Sequence, residues 1–222
     1  MDTSFTEENY LKAIYHLSAE NSKPVNTNQI ASVLSTKAAS VTDMIKKLSA
    51  KNLIDYERYQ GVSLTEKGKI IALKIIRKHR LWEFFLVEKL AFGWDEVHEL
   101  AEQLEHIQSL KLIDRLDEFL GFPAFDPHGD PIPDQYGEIK NTSVKTVSNL
   151  SLGDSGIISG VKEHSATFLQ YLEKMNLTIG RKICVEEIIA FDETVILRLE
   201  NKEKINVSKE AAKNILINHE QL

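Results

Sequence analysis

Two histidines and two glutamates share one face of the helix that the sequence predicts from Trp94 to about Leu120. They are His98, Glu102, Glu105 and His106. Offsets of four, seven and eight residues, at about 100° per residue, place all four within roughly a third of the helix circumference. A solvated charged face would account for the acidic residues alone. The two imidazoles in the same stripe favour a metal-binding site.

A second predicted helix, from about Lys69 to Leu90, supplies another pair of the same residue types. His79 and Glu83 are one turn apart on it and share a face. If the two helices pack side by side, up to six nitrogen and oxygen ligands can converge on one or two divalent ions. Mixed imidazole and carboxylate donors suit manganese, iron(II) or zinc, whereas metals that prefer thiolates would require cysteine.

The composition is that of an ordinary globular protein. The 222 residues are enough for two or three small domains, and 42% are hydrophobic and 27% charged. No apolar run approaches the ~18 residues of a membrane span, so no membrane association is expected. The first residues lack the pattern of a secretory signal, which predicts a cytoplasmic protein. Cys184 is the only cysteine, so no internal disulfide is expected.

Charge is distributed unevenly along the chain. The formal net charge is −6, but residues 37–80 carry eleven Lys and Arg against four Asp and Glu. Residues 1–36 sum to −2 and residues 81–222 to −11. A basic segment within an acidic chain indicates a nucleic-acid interface in that segment.

Residues 1–75 are predicted to form a winged helix-turn-helix domain that binds DNA. The predicted elements are helices from Thr6 to Ser18, over 28–34 behind a Thr27 cap, and from Ala38 or Ala39 to Leu48, then strands over 53–58 and 62–65. The turn at residues 59–61 joins the two strands into a hairpin, which would be the wing. A winged helix used only for protein contacts is the alternative.

The third helix would be the recognition helix, which enters the major groove in this class of domain. The predicted DNA contacts of this helix, the residue before it and the wing fall into two groups, one facing the bases and one facing the phosphates. The first group is Lys37, Ala39, Ser40, Thr42 and Asp43, and the second is Lys46, Lys47 and Arg58.

Residues 76–140 are predicted to form a helical domain for metal binding and dimerisation. Beyond Gly121, a stretch rich in proline and glycine excludes regular structure for about a dozen residues. Apolar residues on the two helices exceed what a two-helix unit can bury, which predicts a homodimer interface. They are Phe84, Phe85, Leu86, Ile113, Leu116 and Leu120.

Residues 141–222 are predicted to be a linker followed by a small β-barrel of SH3-like type. Residues up to Ser148 are rich in Thr and Ser, as in a linker. Short β-like runs then cover 156–161, 182–189 and 194–199, with a helix from Ser165 to Met175. The predicted fold class is mainly α with a small β domain.

Three motifs occur in order along the chain. They are Arg77-Lys78-His79-Arg80-Leu81-X-Glu83, Val97-His98-X3-Glu102-X2-Glu105-His106 and Asp126-Pro127-His128-Gly129-Asp130-Pro131-Ile132-Pro133. Together they resemble the diphtheria-toxin-repressor family of bacterial metal-dependent transcriptional regulators. The resemblance covers the whole chain, since the family's longer members also end in an SH3-like, FeoA-like domain.

The resemblance implies two neighbouring metal sites. The primary site would comprise Glu102, Glu105 and His106, and the neighbouring site His79, Glu83 and His98. Iron-responsive members usually present cysteine where this chain has Glu102, whereas manganese-responsive members present glutamate. The resemblance therefore implies Mn²⁺ as the cofactor and Fe²⁺ as the alternative, with Zn²⁺ or Co²⁺ as substitutes in vitro.

At three positions this chain differs from the ligands that the family uses. Asn9 stands where the family's first helix supplies a methionine or aspartate ligand, and an amide oxygen coordinates only weakly. Lys12 stands where manganese-type members have a glutamate ligand, which argues against their close two-metal arrangement. His164 falls near the point where the barrel domain can contribute a carboxylate, so it is either an extra ligand or a surface histidine.

The expected function is a manganese-responsive repressor that binds a palindromic operator as a homodimer and controls metal-homeostasis genes. A metallohydrolase is the first rival, but His98-Glu99-X-X-Glu102 has Glu where the zincin pattern requires a second His. The chain is therefore not expected to be an enzyme. The second rival is a winged-helix regulator that senses a small ligand. In that case His79, His98 and His106 would be buried polar residues.

Overall fold

The computed structural model describes residues 3–21, 24–57, 60–139 and 145–218. The chain forms two compact units. The first comprises Met1–His79, Glu102–Ile113 and Pro133–Ile139, and the second comprises Arg80–Ala101, Asp114–Ile132 and Lys140–Leu222. The helices are α1 (Phe5–Asn21), α2 (Thr27–Val33), α3 (Ala38–Ala50), α4 (Glu66–Leu90), α5 (His98–Leu104), α6 (Leu110–Phe119), α7 (Ala166–Lys174) and α8 (Lys209–Ala212). The strands are β1 (Ile54–Glu57), β2 (Gly61–Leu64), β3 (Lys145–Thr146), β4 (Ser155–Val161), β5 (Lys182–Ile188), β6 (Val195–Leu199), β7 (Lys204–Val207) and β8 (Ile215–Asn218).

The first unit contains the predicted winged helix. A capping box starts α2, because the Asn26 side chain accepts the Gln29 N–H at 2.9 Å and the Gln29 side chain accepts the Asn26 N–H at 3.0 Å. The cap is therefore Asn26, one residue before the predicted Thr27. Helix α3 buries apolar residues four and seven positions apart, as an amphipathic helix does. They are Val41, Ile45 and Leu48.

The wing is an antiparallel hairpin in which Ile54 lies opposite Leu64 and Glu57 opposite Gly61. Val25 exchanges two backbone hydrogen bonds of 2.8 Å with Val62, which attaches the segment before α2 to the wing. The buried core of this domain draws on α1, α2, α3 and both strands. Its largest members include Leu11, Ile14, Ile30, Ile45, Leu48 and Leu53.

The single helix predicted from Trp94 to Leu120 is wrong. The structure has α5 and α6 instead, and Glu105 and His106 lie in the break between them. The Ile107 N–H donates to the Leu104 carbonyl at 3.2 Å, a tight turn that ends α5. The Ser109 hydroxyl accepts the Leu112 N–H at 3.3 Å and so caps the start of α6. The ligand stripe is thus part helix and part turn.

The second unit contains the SH3-like domain. Its six strands form one antiparallel sheet in the order β3-β8-β4-β5-β6-β7. Register shifts between Ile158 and Gly160 and between Val185 and Glu187 bend β4 and β5. The inward residues of these strands, together with Leu169 and Leu172 of α7, form a separate buried core. The predicted mainly α chain with a small β domain is confirmed.

The prediction of a linker up to Ser148 is wrong for residues 145–148, which the structure describes. Lys145 and Thr146 pair with β8, and a 3-10 helix follows at Val147–Asn149. The side chain of Val147 is buried in the core of the SH3-like domain, so the polar residues around it cover a structured edge of the sheet. Residues 141–144 lie outside the described part of the chain.

Of the six apolar residues assigned to a homodimer interface, Phe84, Phe85 and Leu120 are half-buried. Leu86, Ile113 and Leu116 are buried within the chain itself. The large apolar residues that are exposed on α6 and just after it are Leu110, Leu112, Phe119 and Phe122. Among the described residues, no helix is long and apolar enough to cross a membrane.

Candidate metal centre and nucleic-acid interface

A group of potential metal ligands lies in the first unit where α4 meets the end of α5. His79, Glu102 and Glu105 each offer one nitrogen or oxygen atom, and these atoms lie within 4.8 Å of one another. We call this group the His79 cluster. His79 is held by α4, whereas Glu105 lies in the turn that ends α5, so the break in the helix brings the two together. Glu105 is completely buried.

Lys12 of α1 reaches into the same cluster. Its Nζ lies 2.6 Å from Glu102 Oε1 and 2.7 and 2.8 Å from the two oxygens of Glu105. Glu105 Oε2 is also 2.7 Å from His79 Nδ1. Burial raises the pKa of Glu105, but the hydrogen bond with His79 and the charge of Lys12 outweigh burial and lower it. Glu105 is therefore a carboxylate in the folded chain.

His106 contacts α1. Its Nδ1 lies 2.7 Å from Glu8 Oε2, and its ring stacks on Phe5 with the ring centroids 4.7 Å apart. Its other ring nitrogen, Nε2, lies 3.8 Å from Glu105 Oε1. Of the three predicted primary ligands, the structure thus groups Glu102 and Glu105 with His79, and it places His106 beside them with one nitrogen taken up by Glu8.

The side-chain oxygen of Asn9 is in an unfavourable environment. Its Oδ1 is buried and accepts no hydrogen bond from the residues that the structure describes. A buried amide oxygen without a donor carries a desolvation penalty of roughly 1–3 kcal/mol, which a cation can relieve. Carboxylates, an imidazole and an orphaned amide oxygen are hard donors, so these residues fit a divalent ion such as manganese.

A second group lies in the second unit and joins α4 to the loop after α6. Glu83, Asp126 and His128 offer atoms within 4.8 Å of one another, and all three are buried. We call this group the His128 cluster. Glu83 Oε2 lies 3.5 Å from His128 Nδ1, and its other oxygen lies 3.3 Å from Nδ1 of His98. The structure thus brings together two of the residues predicted for the neighbouring site, Glu83 and His98.

The protonation of the His128 cluster is strongly perturbed. Burial, Asp130 and Glu83 raise the pKa of Asp126 to about 7, against the opposing charges of Arg80 and His128. Burial lowers the pKa of His128, but Glu83 and Asp126 more than compensate and raise it to about 8. His128 Nε2 lies 2.8 Å from the Trp94 carbonyl oxygen, so it donates there and leaves Nδ1 facing Glu83.

His164 stands beside the His128 cluster. Its ring stacks on His128 with the centroids 4.8 Å apart, and its Nε2 lies 4.0 Å from Asp130 Oδ2. Burial lowers the pKa of His164. Arg80 completes this neighbourhood, because it donates to Asp130 at 2.9 Å and to the Pro131 carbonyl at 2.6 Å. His164 is therefore part of a polar cluster rather than an isolated surface histidine.

Asp126 and His128 were not predicted as ligands, although their motif was noted. Asp126 Oδ1 accepts the backbone N–H groups of His128 at 2.8 Å and Asp130 at 2.9 Å, which folds the loop back on itself. Gly129 has a φ of +87° and packs against the backbone of β4. An Asp-X-His-Gly-Asp turn among prolines was the available signal, but only the packing of the loop shows that it meets Glu83.

The recognition helix presents the predicted DNA-binding residues on its outer side. Those that are exposed are Lys37, Ala39, Ser40, Asp43, Lys46 and Lys47. Thr42 is half-buried and donates to the Ala38 carbonyl at 3.0 Å. Asp43 lies 3.4 Å from Lys46. Arg58 lies outside the described residues.

A buried glutamate connects α1 to the end of the recognition helix. Glu7 Oε1 lies 2.7 Å from Lys51 Nζ and 3.2 Å from Lys47 Nζ. Burial alone raises the pKa of Glu7, but Lys51, the Ser4 backbone and Lys47 lower it to about 2. Helix α1 therefore contacts α3 through Glu7 and the Glu105 turn through Glu8 and Lys12.

These features define a winged-helix DNA-binding protein with buried metal-type clusters and an SH3-like domain. Residues 2–62 match a family profile described as "Iron dependent repressor, N-terminal DNA binding domain". Residues 65–134 match "Iron dependent repressor, metal binding and dimerisation domain", and residues 145–219 match "FeoA domain". The chain belongs to the diphtheria-toxin-repressor family of metal-dependent transcriptional regulators. This family consists of DNA-binding regulators rather than enzymes.

Similar proteins include iron and manganese regulators. The chain is 41% identical over 113 residues to the uncharacterized HTH-type transcriptional regulator MJ0568 of Methanocaldococcus jannaschii, an alignment that spans 51% of this chain and 90% of the relative. It is 35% identical over 128 residues to the iron-dependent repressor IdeR of Mycobacterium tuberculosis, spanning 58% of this chain and about half (55%) of IdeR. It is 34% identical over 115 residues to the HTH-type transcriptional regulator MntR of Oceanobacillus iheyensis, spanning 52% of this chain and 77% of MntR.

Two solved structures align over nearly the whole chain. One is a manganese-dependent transcriptional repressor in complex with manganese, with a TM-score of 0.87, 30% identity, and coverage of 96% of this chain and 100% of that one. The other is the manganese regulator SloR, with a TM-score of 0.76, 34% identity, and coverage of 96% and 98%. Both likenesses include the SH3-like domain.

Proposed function

We propose that this protein is a manganese-responsive repressor of metal-homeostasis genes that binds a palindromic operator as a homodimer in the cytoplasm. The observation that carries the proposal is the His79 cluster, which gathers hard nitrogen and oxygen donors in the same unit as the winged helix. Manganese in the names of two solved relatives supports the choice of metal. No thiolate is present among the clustered ligands, which favours manganese over softer ions.

The first metal site would use the His79 cluster. Glu102, Glu105 and His79 would bind the ion, and His106 would join them through Nε2. The unsatisfied amide oxygen of Asn9 supports a further contact from α1. The ion would supply positive charge to two carboxylates, one of which is fully buried. Such a site would tie α1 to the turn that follows α5.

The second metal site would use the His128 cluster. Glu83 and His98 were predicted for it, and Asp126 and His128 would complete it. Like charges on Glu83 and Asp126 in a buried setting favour a bound cation, because a divalent ion offsets their repulsion. His164 would contribute either directly or through its stacking on His128.

Helix α1 would transmit metal binding to the DNA-binding surface. It carries Asn9 and Lys12 near the His79 cluster, and it holds the end of α3 through Glu7. An ion that fixes α1 would therefore restrict the recognition helix, and in a dimer it would set two such helices at a fixed spacing. By linkage, operator DNA should tighten metal binding by the same factor.

The proposed DNA contacts follow the exposed face of α3. Lys37, Ala39, Ser40, Thr42 and Asp43 would face the bases, and Lys46, Lys47 and Arg58 the phosphates. Because Lys47 also contacts Glu7, its position would depend on α1.

The decisive experiment measures operator affinity with and without manganese. The wild type should bind operator DNA at least about tenfold more tightly with MnCl2 than with EDTA, a coupling of about 1.4 kcal/mol. Glu102→Gln should lose most of this difference, since it removes a carboxylate from the His79 cluster. Glu99→Gln, an exposed position on the same helix, is the matched control and should behave as the wild type. Equal affinity of the wild type in MnCl2 and EDTA would eliminate the proposal.

Iron(II) is the alternative activator, and the similarity to IdeR favours it. The same titration with Fe²⁺ under anaerobic conditions, and with Zn²⁺ and Co²⁺, separates the two cases. If Fe²⁺ activates operator binding at a lower free concentration than Mn²⁺ does, and both concentrations lie within the cellular range, the iron-responsive function is favoured. Activation by Mn²⁺ alone would favour the manganese-responsive one.

A further inference from the structure

The Lys12 ammonium lies between the two carboxylates of the His79 cluster. Its ammonium group has three N–H donors and makes three short contacts, with Glu102 Oε1 and both oxygens of Glu105. The Lys12 side chain is 13% exposed and that of Glu105 is fully buried. The donor capacity of Lys12 is thus directed almost entirely at the proposed metal ligands.

This arrangement stabilises the metal-free chain. A fully buried carboxylate without a cation would be strongly destabilising, because burial removes its hydration. Lys12 and His79 supply the compensating contacts to Glu105. Glu102 gains the same partner, although its side chain is 36% exposed and depends less on it.

A divalent ion and the Lys12 ammonium need the same oxygen atoms. Both are cations, and an ammonium only donates hydrogen bonds, so it cannot serve as a ligand. An ion bound to Glu102 and Glu105 would lie within a few ångströms of Nζ and repel it. The flexible four-carbon stem allows the ammonium to withdraw without moving the backbone of α1.

We propose that Lys12 is an internal competitor of the metal, which closes the His79 cluster in the metal-free protein and must leave before an ion binds Glu102 and Glu105. This inference rests on the proposed function and adds a residue that sets the metal affinity. The metal-binding free energy is reduced by the stability of the Lys12 contacts. Removing the ammonium therefore strengthens metal binding and weakens the metal-free fold, which are opposite effects of one substitution.

The test compares Lys12→Met with the wild type in Mn²⁺ titrations followed by the EPR signal of free Mn²⁺. Methionine keeps an unbranched side chain and removes the charge. Each variant is also titrated in a His128→Gln background, so that the His128 cluster does not obscure the result. Lys12→Met should bind Mn²⁺ more tightly by about tenfold or more, the effect that a nearby unit charge has on ionic equilibria. Its thermal midpoint in EDTA should fall.

Two further variants separate charge from packing. Lys12→Arg retains the positive charge and should keep an affinity close to that of the wild type. Lys51→Met is the matched control, because Lys51 pairs in the same way with the buried carboxylate of Glu7. It should lower the thermal midpoint in EDTA and leave Mn²⁺ affinity within about twofold. Should Lys12→Met fail to fold, Lys12→Gln replaces it, with the same expected rise in affinity.

The outcomes separate this inference from the proposed function. Equal or weaker Mn²⁺ binding by folded Lys12→Met and Lys12→Gln, with the wild type binding Mn²⁺, overturns the role of Lys12 and leaves the proposed function standing. Tight binding by Lys12→Met with no binding by the wild type supports the role of Lys12 and contradicts the manganese-responsive function. No Mn²⁺ binding by any variant overturns both.

Discussion

Glu7 and Glu105 are buried carboxylates of the first unit, and lysine ammonium groups hold both. Glu7 is 1% exposed and contacts Lys47 of α3 and Lys51 directly after it, whereas Glu105 contacts Lys12 of α1. The two glutamates have different consequences, because metal is proposed to compete only for Glu105. The ion pairs of Glu7 with Lys47 and Lys51 would remain when metal binds and position the recognition helix. The ion pair of Glu105 with Lys12 is the one that metal is proposed to replace.

Glu7→Gln should destabilise the first unit. The folded pKa of Glu7 is about 2 against an ordinary value of 4.5, so its stabilisation is present above pH 4.5 and is lost as the pH falls towards 2. At pH 7 the loss should be about 3 kcal/mol, since the pKa falls from 4.5 to about 2 and each pKa unit corresponds to 1.36 kcal/mol. Urea denaturation of the wild type and the variant at pH 7 and pH 3 would measure it, with a smaller difference expected at pH 3.

Glu57→Gln is the control for that measurement, because Glu57 is exposed on β1. It should change the free energy of unfolding by less than about 0.5 kcal/mol, as most surface substitutions do. If Glu7→Gln and Glu57→Gln had the same midpoint at pH 7, the ion pairs of Glu7 would not hold α3 in the way described.

Among the elements, short irregular segments position candidate ligands that regular helices alone could not bring together. The break between α5 and α6 directs Glu105 towards His79 and His106 towards Glu8. The loop after α6 brings Asp126 and His128 close to Glu83. In that loop, Gly129 combines a φ of +87° with close approach to the Ser159 carbonyl oxygen and the Gly160 Cα. A side chain there would push the loop away from β4.

Gly129→Ala should therefore weaken both the fold of the second unit and metal binding by the His128 cluster. Gly121→Ala is a matched control, because Gly121 also has a positive φ, of +76°, but beyond its chain neighbours no atom of the described residues lies within 4 Å of the position that its Cβ would take. Gly121→Ala should cost about 1 kcal/mol from backbone strain alone. Gly129→Ala should cost at least twice as much and reduce the Mn²⁺ stoichiometry, measured by thermal denaturation in EDTA and by EPR titration.

Equal costs for the two substitutions would show that close packing of the loop contributes nothing. A loss of Mn²⁺ in Gly121→Ala as well would indicate that the whole segment, rather than the Gly129 contact, determines the geometry of the cluster.

For the assembled protein, we expect a second copy of the chain to pack on the exposed apolar side chains at the end of α6. Phe119 and Phe122 are 65% and 68% exposed and lie at the end of α6 and just beyond it. The family profile that covers this segment describes a metal binding and dimerisation domain. Phe191 is 97% exposed but lies in the SH3-like domain, between β5 and β6.

Phe119→Glu should weaken the homodimer, because it places a charge in a surface that the dimer would bury. We expect the dissociation constant to rise by about tenfold or more, which corresponds to about 1.4 kcal/mol. Sedimentation velocity over a range of protein concentrations would measure the change. Phe191→Glu is the control and should leave the dimer intact. Dissociation by Phe191→Glu instead would place the interface on the SH3-like domain.

Residue spacing and side-chain chemistry were enough to predict the winged helix, the SH3-like domain and most of the candidate ligands. Regular periodicity predicted the α3 stripe of Val41, Ile45 and Leu48, because local spacing decides which face of a helix is apolar. The residue types at His79, Glu102 and Glu105 were enough to indicate divalent metal chemistry. These properties depend on neighbours in the chain or on side-chain chemistry alone.

How those residues meet depends on the packing of the folded chain. Helical periodicity over Trp94–Leu120 concealed the break at Glu105, since a turn capped by Ser109 leaves no gap in the apolar pattern. Contacts between residues far apart in sequence, such as Lys12 with Glu105 and Glu83 with His128, follow from packing and from the need to compensate buried charge. Local sequence cannot predict them, because the energy that selects them arises only when the elements have assembled.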